Sequence, residues 1–476
     1  MAPEQLATPA DFTHALYQDF VGYLISLGLQ NAGGLLLLPV VTAYLQPADL
    51  GLFSLIETAQ VQGVTFGLLG LKFAYLYYYA HVPPEQRPVL LGATLLLCGL
   101  AGAAAGGLLW AGFSSASLMS LFDSAILPHA WLLVPLLASG VLQTILLTEL
   151  RAARRVWLAG VIGLSQLTLV LLLSLAAVAI YDLGLPGLLA AQALAQFFSC
   201  GLALALVAGR FRLGLPPELS WKLLRYGMPM MLGLMLRYSL DSLCRFFLAA
   251  LVSIEAAGQF MIAAKVTSLF DAVLALPFFM AWGGLVHHAL RQPMASAIIG
   301  RVSSIALTAG APLVFLLLLA RGPLFALLAH DAMPQLAGVY ALLLLNRAVQ
   351  LAKSPLTAGI LQTGRTGWSV RNNLFALAIF LAACYPAAEM AGMAGIAAVL
   401  LAANFIAAAS LTVAAQRLCA QRIEPAAIGL AAFAAIAGLA FVFVGPVSPP
   451  IWVLAFVIAG ACLMAVFRQA RVTDRI

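Results

Sequence analysis

Apolar runs long enough to cross a bilayer follow one another along almost the whole chain, and short polar connectors separate them. A helix needs about 20 predominantly apolar residues to span the hydrocarbon core of a membrane. Bounded by Gly, Pro and charged residues, the runs predict fourteen spans. Their approximate limits are 17–45, 49–80, 88–113, 125–150, 154–181, 185–209, 221–251, 255–287, 294–320, 333–362, 366–387, 392–417, 425–445 and 448–468.

The composition agrees with a polytopic membrane protein. Hydrophobic residues make up 63% of the chain and charged residues 9%, and the mean hydropathy is +1.04. Soluble domains carry about 25% charged residues, so we expect an all-α membrane protein and no nucleic-acid-binding module. The six cysteines lie in apolar runs without a CxxC pair, which indicates core residues and neither disulfides nor a metal site. The first 16 residues are too polar for a secretory signal.

Basic residues predict the orientation of the spans. If the N-terminus is cytoplasmic, 17 of the 24 Lys and Arg residues fall in inner connectors and flanks, and only Arg321 falls in an outer connector. The remaining six lie within spans. Cytoplasmic loops carry an excess of Lys and Arg, so both termini are predicted to be cytoplasmic.

Charged residues inside the spans are the candidate functional residues. Arg237, Asp241 and Arg245 are spaced four apart, which places them on one helical face. Lipid does not tolerate such a face, since each unpaired charge at mid-membrane costs a few kcal/mol or more. The other charged residues deep within spans are Glu57, Lys72, Lys265, Asp271, Arg347 and Lys353.

Two interpretations of these charges are open. Ion pairs within or between helices, for example Asp241 with Arg245 or Lys265 with Asp271, could fix the helix register. Alternatively, because the six cations outnumber the three acids, the surplus predicts a basic cavity for an anionic substrate.

Two short features complete the pattern. An acidic residue followed by Gly-x-Phe occurs after span 1, at Asp49, and again after span 7, at Glu255, which suggests a weak parallel repeat. Tyr75, Tyr77, Tyr78 and Tyr79 end span 2 and are predicted to form an interfacial aromatic belt. The sequence contains no Walker A, HExxH or GxSxG motif, so ATP hydrolysis and peptidase chemistry have no support.

Three stretches resemble the polysaccharide-transport flippases of the MOP superfamily. The turn Pro-x-(Asp/Glu)-x-Gly-x-(Tyr/Phe) of the first hairpin is found in LLLPVVTAYLQPADLGLFSLIE, and the end of span 2 in LGLKFAYLYYYAHVPPEQR. The hairpin of spans 7 and 8 is LLRYGMPMMLGLMLRYSLDSLCRFFLAALVSIEAAGQFMIAAKV. The Asp-Arg pair of the family's span 7 is represented here by Asp241 and Arg245, which are separated by three residues.

The resemblance implies two six-helix lobes around a central cavity, plus two C-terminal helices, that transport by alternating access. The corresponding ranges are a cytoplasmic segment 1–16, a first lobe 17–209, a linker 210–220, a second lobe 221–417, two spans within 418–468 and a tail 469–476. It also implies an anionic lipid-linked (polyprenyl-diphosphate) oligosaccharide as cargo. The protein would export this cargo across the bacterial inner membrane for exopolysaccharide or O-antigen synthesis. Its expected partners are the lipid bilayer and other polysaccharide-assembly membrane proteins.

Roles for the charged residues follow from this cargo. Arg237, Lys265, Arg347 and Lys353 are expected to hold the diphosphate or acidic sugars, and Lys72 and Arg245 to line the inner and outer approaches. Coupling by H⁺ or Na⁺ would fall to Glu57, Asp241 or Asp271, with no catalytic residue, metal or other cofactor.

Other functions remain open at this stage. A peptidoglycan-precursor flippase would also need a basic cavity, whereas a cation-coupled drug exporter of the same superfamily would need one that favours cations. A membrane glycan polymerase or ligase is disfavoured because no connector is long enough to fold as an outer domain. A structural subunit of a polysaccharide secretion complex is the remaining alternative.

Overall fold

The fold is all-helical over the part of the chain that the structure describes. A computed structural model describes residues 16–21, 23–24, 33–113, 131–153, 155–289, 292, 294–328, 333–362, 367–419 and 427–429, and every regular element in them is a helix. This confirms the predicted fold class. The two predicted C-terminal spans, 425–445 and 448–468, and the tail 469–476 lie outside the described residues, apart from 427–429.

The helices are numbered in chain order. They are α1 Gly33–Leu36, α2 Leu38–Tyr44, α3 Pro47–Gly67, α4 Leu71–His81, α5 Arg87–Phe113, α6 Leu133–Ala152, α7 Val156–Leu175, α8 Gly184–Val207, α9 Pro217–Leu251, α10 Ile254–Phe270, α11 Leu276–Ala289, α12 Ala295–Leu319, α13 Arg321–Leu328, α14 Met333–Gln362 and α15 Gly367–Cys419. Wider, π-helical turns extend α7 over Ala176–Ile180 and join α10 to α11 over Asp271–Ala275.

Seven of the described helices, counted with their short extensions, are long and apolar enough to cross a membrane. The bent pair α3 and α4 brings this number to eight. Helices α9 and α14 are also long enough, at 35 and 30 residues, but they are not among the seven. They carry five of the charged residues that the sequence placed within spans: Arg237, Asp241, Arg245, Arg347 and Lys353.

One predicted span is broken. The sequence predicts a single helix over 49–80, whereas α3 ends at Gly67 and α4 starts at Leu71 after a bend of 41°. Leu69 and Gly70 between them have left-handed φ angles of 48° and 67°. A left-handed residue cannot continue a right-handed helix, so the chain changes direction here.

Another pair of predicted spans is nearly continuous. Helix α15 covers both the 366–387 and 392–417 predictions, and only Ala391 and Gly392 depart from helical angles. Gly392 has a φ of 53°, which separates a first arm from a second arm. The predicted boundary therefore falls at the kink.

The described helices group into two compact units, Val40–Gly258 and a second that contains Gln259–Ile476 together with the residues before Val40. In the first, α5, α6 and α8 pack around a core that includes Leu91, Val141 and Ile145. In the second, α14 packs against both α12 and α15. Helix α9, which the sequence placed in the second lobe, packs on α3 and α4 within the first unit. The lobe ranges drawn from chain order stay a prediction.

Close backbone contacts between helices depend on glycines at two places. A Cβ on Gly51 of α3 would overlap the carbonyl oxygen of Ile254 on α10, and a Cβ on Gly258 would lie 2.7 Å from the nitrogen of Gly51. A Cβ on Gly70 would likewise overlap the carbonyl oxygen of Gly227 on α9. Gly51 and Gly258 are the glycines of the two Gly-x-Phe motifs, so the two copies of the suspected repeat contact each other through their backbones.

Candidate functional site

An arginine on α9 and an acid on α3 form a charged cluster in the first unit. Arg245 Nη1 lies 3.7 Å from Glu57 Oε2 and donates a hydrogen bond to Thr58 Oγ1 at 3.0 Å. Both charged side chains are largely buried, with 17% and 26% of their surface exposed. Helical spacing favoured Asp241, one turn away on α9, as the partner of Arg245. The contact with Glu57 was missed because spacing identifies neighbours on the same helix only.

A polar seam between α3 and α9 continues this cluster along both helices. Gln62 Nε2 donates to Ser242 Oγ at 2.7 Å, and Ser242 Oγ donates to the carbonyl oxygen of Tyr238 at 3.0 Å. Asp241, beside Ser242, is half-buried, as is Lys72 at the start of α4. Arg237 lies in α9, but its side chain is outside the described part of the structure. The first unit therefore holds Glu57, Lys72, Asp241 and Arg245 on three helices of one compact body.

The second charged cluster is an ion pair between Arg347 and Asp271. Arg347 Nε on α14 lies 3.4 Å from Asp271 Oδ2, and 21% and 25% of the two side chains are exposed. The sequence offered Lys265 as a partner of Asp271 and no acid on the span of Arg347. The acid comes from another helix, so helical periodicity again could not identify it.

Asp271 sits at a special place in the backbone. It is the first residue of the π-helical turn Asp271–Ala275, and Pro277 lies two residues after the end of that turn. The ring of a proline clashes with the carbonyl four residues before it and supplies no N–H, so a widened turn relieves the conflict. Such turns recur at functional sites because they reorient side chains relative to a regular helix.

Two lysines flank this ion pair along the helices. Lys353 lies six residues after Arg347 on α14, about 9 Å along the axis, and its Nζ is 3.5 Å from Oδ1 of Asn404 on the second arm of α15. Lys265 lies six residues before Asp271 on α10 and is half-buried. With Arg347 and Asp271, these residues carry a formal net charge of +2. Asn404, buried in an apolar run, was not predicted as part of the site.

A buried acid in the first unit was also missed. Glu149 on α6 is 5% exposed, accepts a hydrogen bond from the Tyr75 hydroxyl and lies 3.7 Å from Nη1 of Arg210. The prediction that Tyr75 belongs to an interfacial belt is wrong, because Tyr75 is fully buried. Tyr77 is 43% exposed and stacks on Tyr226 at 4.8 Å between ring centroids. The sequence could have indicated both residues. Glu149 is an acid within an apolar run, and helical periodicity places Tyr75 on the opposite face of the helix from Tyr77.

Three glutamines from consecutive helices close a ring of hydrogen bonds in the first unit. Gln143 Nε2 donates to Gln166 Oε1 at 2.8 Å, Gln166 Nε2 to Gln196 Oε1 at 2.6 Å, and Gln196 Nε2 back to Gln143 Oε1. Gln143 Nε2 also donates to Ser199 Oγ at 2.6 Å. The ring ties α6, α7 and α8 together without any charged group. The sequence analysis did not identify it.

His, Cys, Asp and Glu are the residue types that could bind a metal ion in the described part of the chain. No group of three or more His, Cys, Asp or Glu side chains there is arranged to hold a metal ion. Cys98, Cys200, Cys244 and Cys384 are buried, as expected for core residues.

Similarity to known proteins is visible in the fold and not in the sequence. No family model matches the sequence, and no curated protein is significantly similar to it. The inward-facing conformation of a multidrug resistance MATE family transporter of the MOP superfamily matches with a TM-score of 0.65 at 15% identity. That match covers 83% of this chain and 97% of the other.

Two further solved structures agree with it. The outward-facing conformation of a multidrug resistance MATE family transporter gives a TM-score of 0.63 at 16% identity, covering 87% of this chain and 96% of that one. A MOP superfamily transporter from Pyrococcus furiosus gives 0.60 at 16% identity with the same coverage. The chain thus has the fold of MOP superfamily transporters. Identities this low do not separate the polysaccharide flippases from the other branches.

Proposed function

We propose that the chain is a flippase that carries an anionic lipid-linked (polyprenyl-diphosphate) oligosaccharide outward across the bacterial inner membrane. Alternating access would deliver it to exopolysaccharide or O-antigen synthesis. The observation that carries the proposal is the ion pair of Arg347 and Asp271 with Lys265 and Lys353 further along the same helices, four side chains whose formal net charge is +2. A diphosphate entering such a site exchanges its hydration for cationic partners.

Arg347 is the residue expected to bind the diphosphate most directly. A guanidinium presents several N–H donors in a planar fork that matches phosphate oxygens, and the pair with Asp271 occupies part of that fork. A phosphate that takes the place of the carboxylate would release Asp271. The freed carboxylate could then accept H⁺ or Na⁺, which would couple cargo binding to the coupling ion.

The remaining candidate residues receive subsidiary roles. Arg237, Lys265 and Lys353 would hold the rest of the diphosphate or the acidic sugars, and Lys72 and Arg245 would line the inner and outer approaches. Glu57 pairs with Arg245 as Asp271 pairs with Arg347, so Glu57 and Asp241 stay candidates for ion coupling. Outward movement of each negative charge gains about 2.3 kcal/mol per 100 mV of inside-negative potential.

A relative of this fold supports a cargo of unusual charge. The Pyrococcus furiosus transporter is described as having a binding pocket of reverse polarity that suggests a different function. A change of pocket polarity within the fold is what the proposed anionic cargo requires.

The proposal is tested by flipping of a fluorescent polyprenyl-diphosphate oligosaccharide in proteoliposomes under an inside-negative potential. We expect wild-type protein to flip the probe and Arg347→Gln to lose flipping. Hydrogen bonds to charged groups contribute about 1.5–3 kcal/mol, so the rate should fall roughly ten- to hundredfold. Arg417→Gln, at an exposed position near the end of α15, is the matched control and should flip at the wild-type rate.

Two results would contradict the proposal in different ways. Wild-type flipping by folded Arg347→Gln would remove that residue from the binding site. Failure of folded wild-type protein to flip the probe would reject this cargo and favour a different lipid precursor or a structural subunit.

A second candidate is a drug exporter, because the matched MATE structures are multidrug resistance transporters. A cationic drug would need acids exposed to it, whereas Glu57 and Asp271 both contact arginines. Uptake of a cationic dye into the same proteoliposomes separates the two functions. Dye transport that survives Arg347→Gln, without any flipping, would favour the exporter.

A further inference from the structure

The second compact unit contains a large apolar pocket whose lining residues are uncharged. Helix α12, helix α14 and the second arm of α15 enclose a cavity of about 810 Å³. Its floor is buried, with Ala306 and Leu351 each 1% exposed, and its rim is open, with Phe405 61% and Ile428 47% exposed. The pocket therefore has an entrance on one side and a closed end on the other.

Small side chains create this space. Ala306 and Gly310 on α12, Ala348 and Ala352 on α14, and Ala402 on α15 all line it. Each contributes at most one methyl group where a leucine would fill the gap. Even a Cβ added to Gly310 would meet Leu351 only at an ordinary contact distance of 3.4 Å. The volume of the pocket therefore results from the small side chains at these positions and not from poor packing of the helices.

The lining offers no free polar group to a ligand. Its two hydroxyls bond to their own helices, Ser303 Oγ to the carbonyl of Ile299 at 2.8 Å and Thr412 Oγ1 to that of Ala408 at 2.9 Å. A bound water needs two to four polar partners, and these two hydroxyls are already bonded to their own helices. Around α14, Arg347 lies about 160° from the lining residue Leu345 but only about 40° from Leu351, so the pocket lies beside the cationic residues and not opposite them.

We propose that this pocket binds one hydrocarbon chain of a membrane phospholipid. Its volume lies within the range of about 300–1,000 Å³ that ligand pockets occupy. An empty space of this size would leave the lining atoms without dispersion partners, whereas an acyl chain supplies them. The surrounding helices α12 and α15 are long and apolar enough to lie in the bilayer, which is the source of such chains. The site is independent of the identity of any transported cargo.

Photo-crosslinking tests the proposal on the full chain. The protein is reconstituted with phosphatidylethanolamine that carries a diazirine near the end of one acyl chain, irradiated and analysed by peptide mass spectrometry. We expect labels on pocket residues of α12, α14 and the second arm of α15. The Ala352→Trp substitution, which adds a large ring to the lining of the pocket, should lower this labelling at least fivefold while labels elsewhere stay constant.

A matched control and a milder variant keep the test decisive. Leu374→Trp places the same ring at a position on the first arm of α15 that is 47% exposed and should leave pocket labelling unchanged. Ala402→Leu adds less volume and serves if Ala352→Trp does not fold. Pocket labelling that is absent in wild-type protein, or that persists in both filled variants, would overturn the proposal. Absence would instead indicate that another part of the chain or no molecule occupies the cavity.

Discussion

Ion pairs between helices define the candidate site at the level of single residues. Sequence reasoning identified Arg245, Arg347, Glu57 and Asp271 as deep charges, because charge is conspicuous in an apolar run. It could not pair them, since both partners of each ion pair lie on different helices. Residues that join a site only through tertiary contact, such as Asn404 beside Lys353, gave still weaker signals.

The pair of Arg347 and Asp271 allows a structural role to be separated from binding. Arg347→Gln should destabilise the protein by about 1–3 kcal/mol, because it leaves the half-buried Asp271 carboxylate without this partner. Adding Asp271→Asn removes the stranded charge and should restore most of the thermal stability. Flipping should stay lost in the double variant, because the phosphate ligand is still missing. Thermal unfolding and flipping are measured on the same preparations, and recovery of both together would show that Arg347 is only structural.

At the level of the helices, the informative features are the breaks within them and the close backbone contacts between them. The sequence placed most helix ends near their observed positions because Gly, Pro and charges mark them. It missed the break at Leu69 and Gly70, where an apolar leucine takes a left-handed angle that composition does not reveal. It found both Gly-x-Phe motifs but not their contact, which depends on how α3 and α10 cross.

The contact of α3 with α10 predicts a strong effect from a single methyl group. Gly51→Ala should lower stability by about 1–3 kcal/mol, because the new Cβ overlaps a backbone carbonyl that cannot rotate away. Gly107→Ala on α5 meets nothing within 4 Å and should raise stability by about 0.5–1 kcal/mol through helix propensity. Melting midpoints in detergent compare the two variants. Equal midpoints would contradict the close approach of α3 and α10.

For the whole molecule, chain-wide patterns were the informative ones. The succession of apolar runs and a family resemblance predicted the all-helical fold of MOP superfamily transporters. Solved structures of such transporters, at 15–16% identity, have the same fold. The cargo could not be predicted in the same way, because it depends on the side chains of the site and not on the arrangement of the helices. The distribution of Lys and Arg additionally predicts which side of the membrane each connector faces.

That orientation is a direct prediction. Cysteine introduced at Val252, in the connector between α9 and α10, should react with an impermeant maleimide in intact spheroplasts. Cysteine introduced at Leu213, between α8 and α9, should react only after permeabilisation, because basic connectors stay in the cytoplasm. Both native side chains are exposed, at 40% and 68%, so access to the reagent is comparable. The reverse labelling pattern would invert the assigned topology.

The glutamine ring of the first unit has a consequence for how this sequence can change over time. Each amide donates to one neighbour and accepts from the other. Replacing any one of Gln143, Gln166 and Gln196 by leucine therefore leaves one amide N–H donor and one amide oxygen of the other two without their ring partner. After the first replacement, the two remaining glutamines lower the stability of the protein, and apolar residues at their positions would raise it. Descendants of a common ancestor should therefore carry all three glutamines or lose them as a set, and lineages with one survivor should be short-lived.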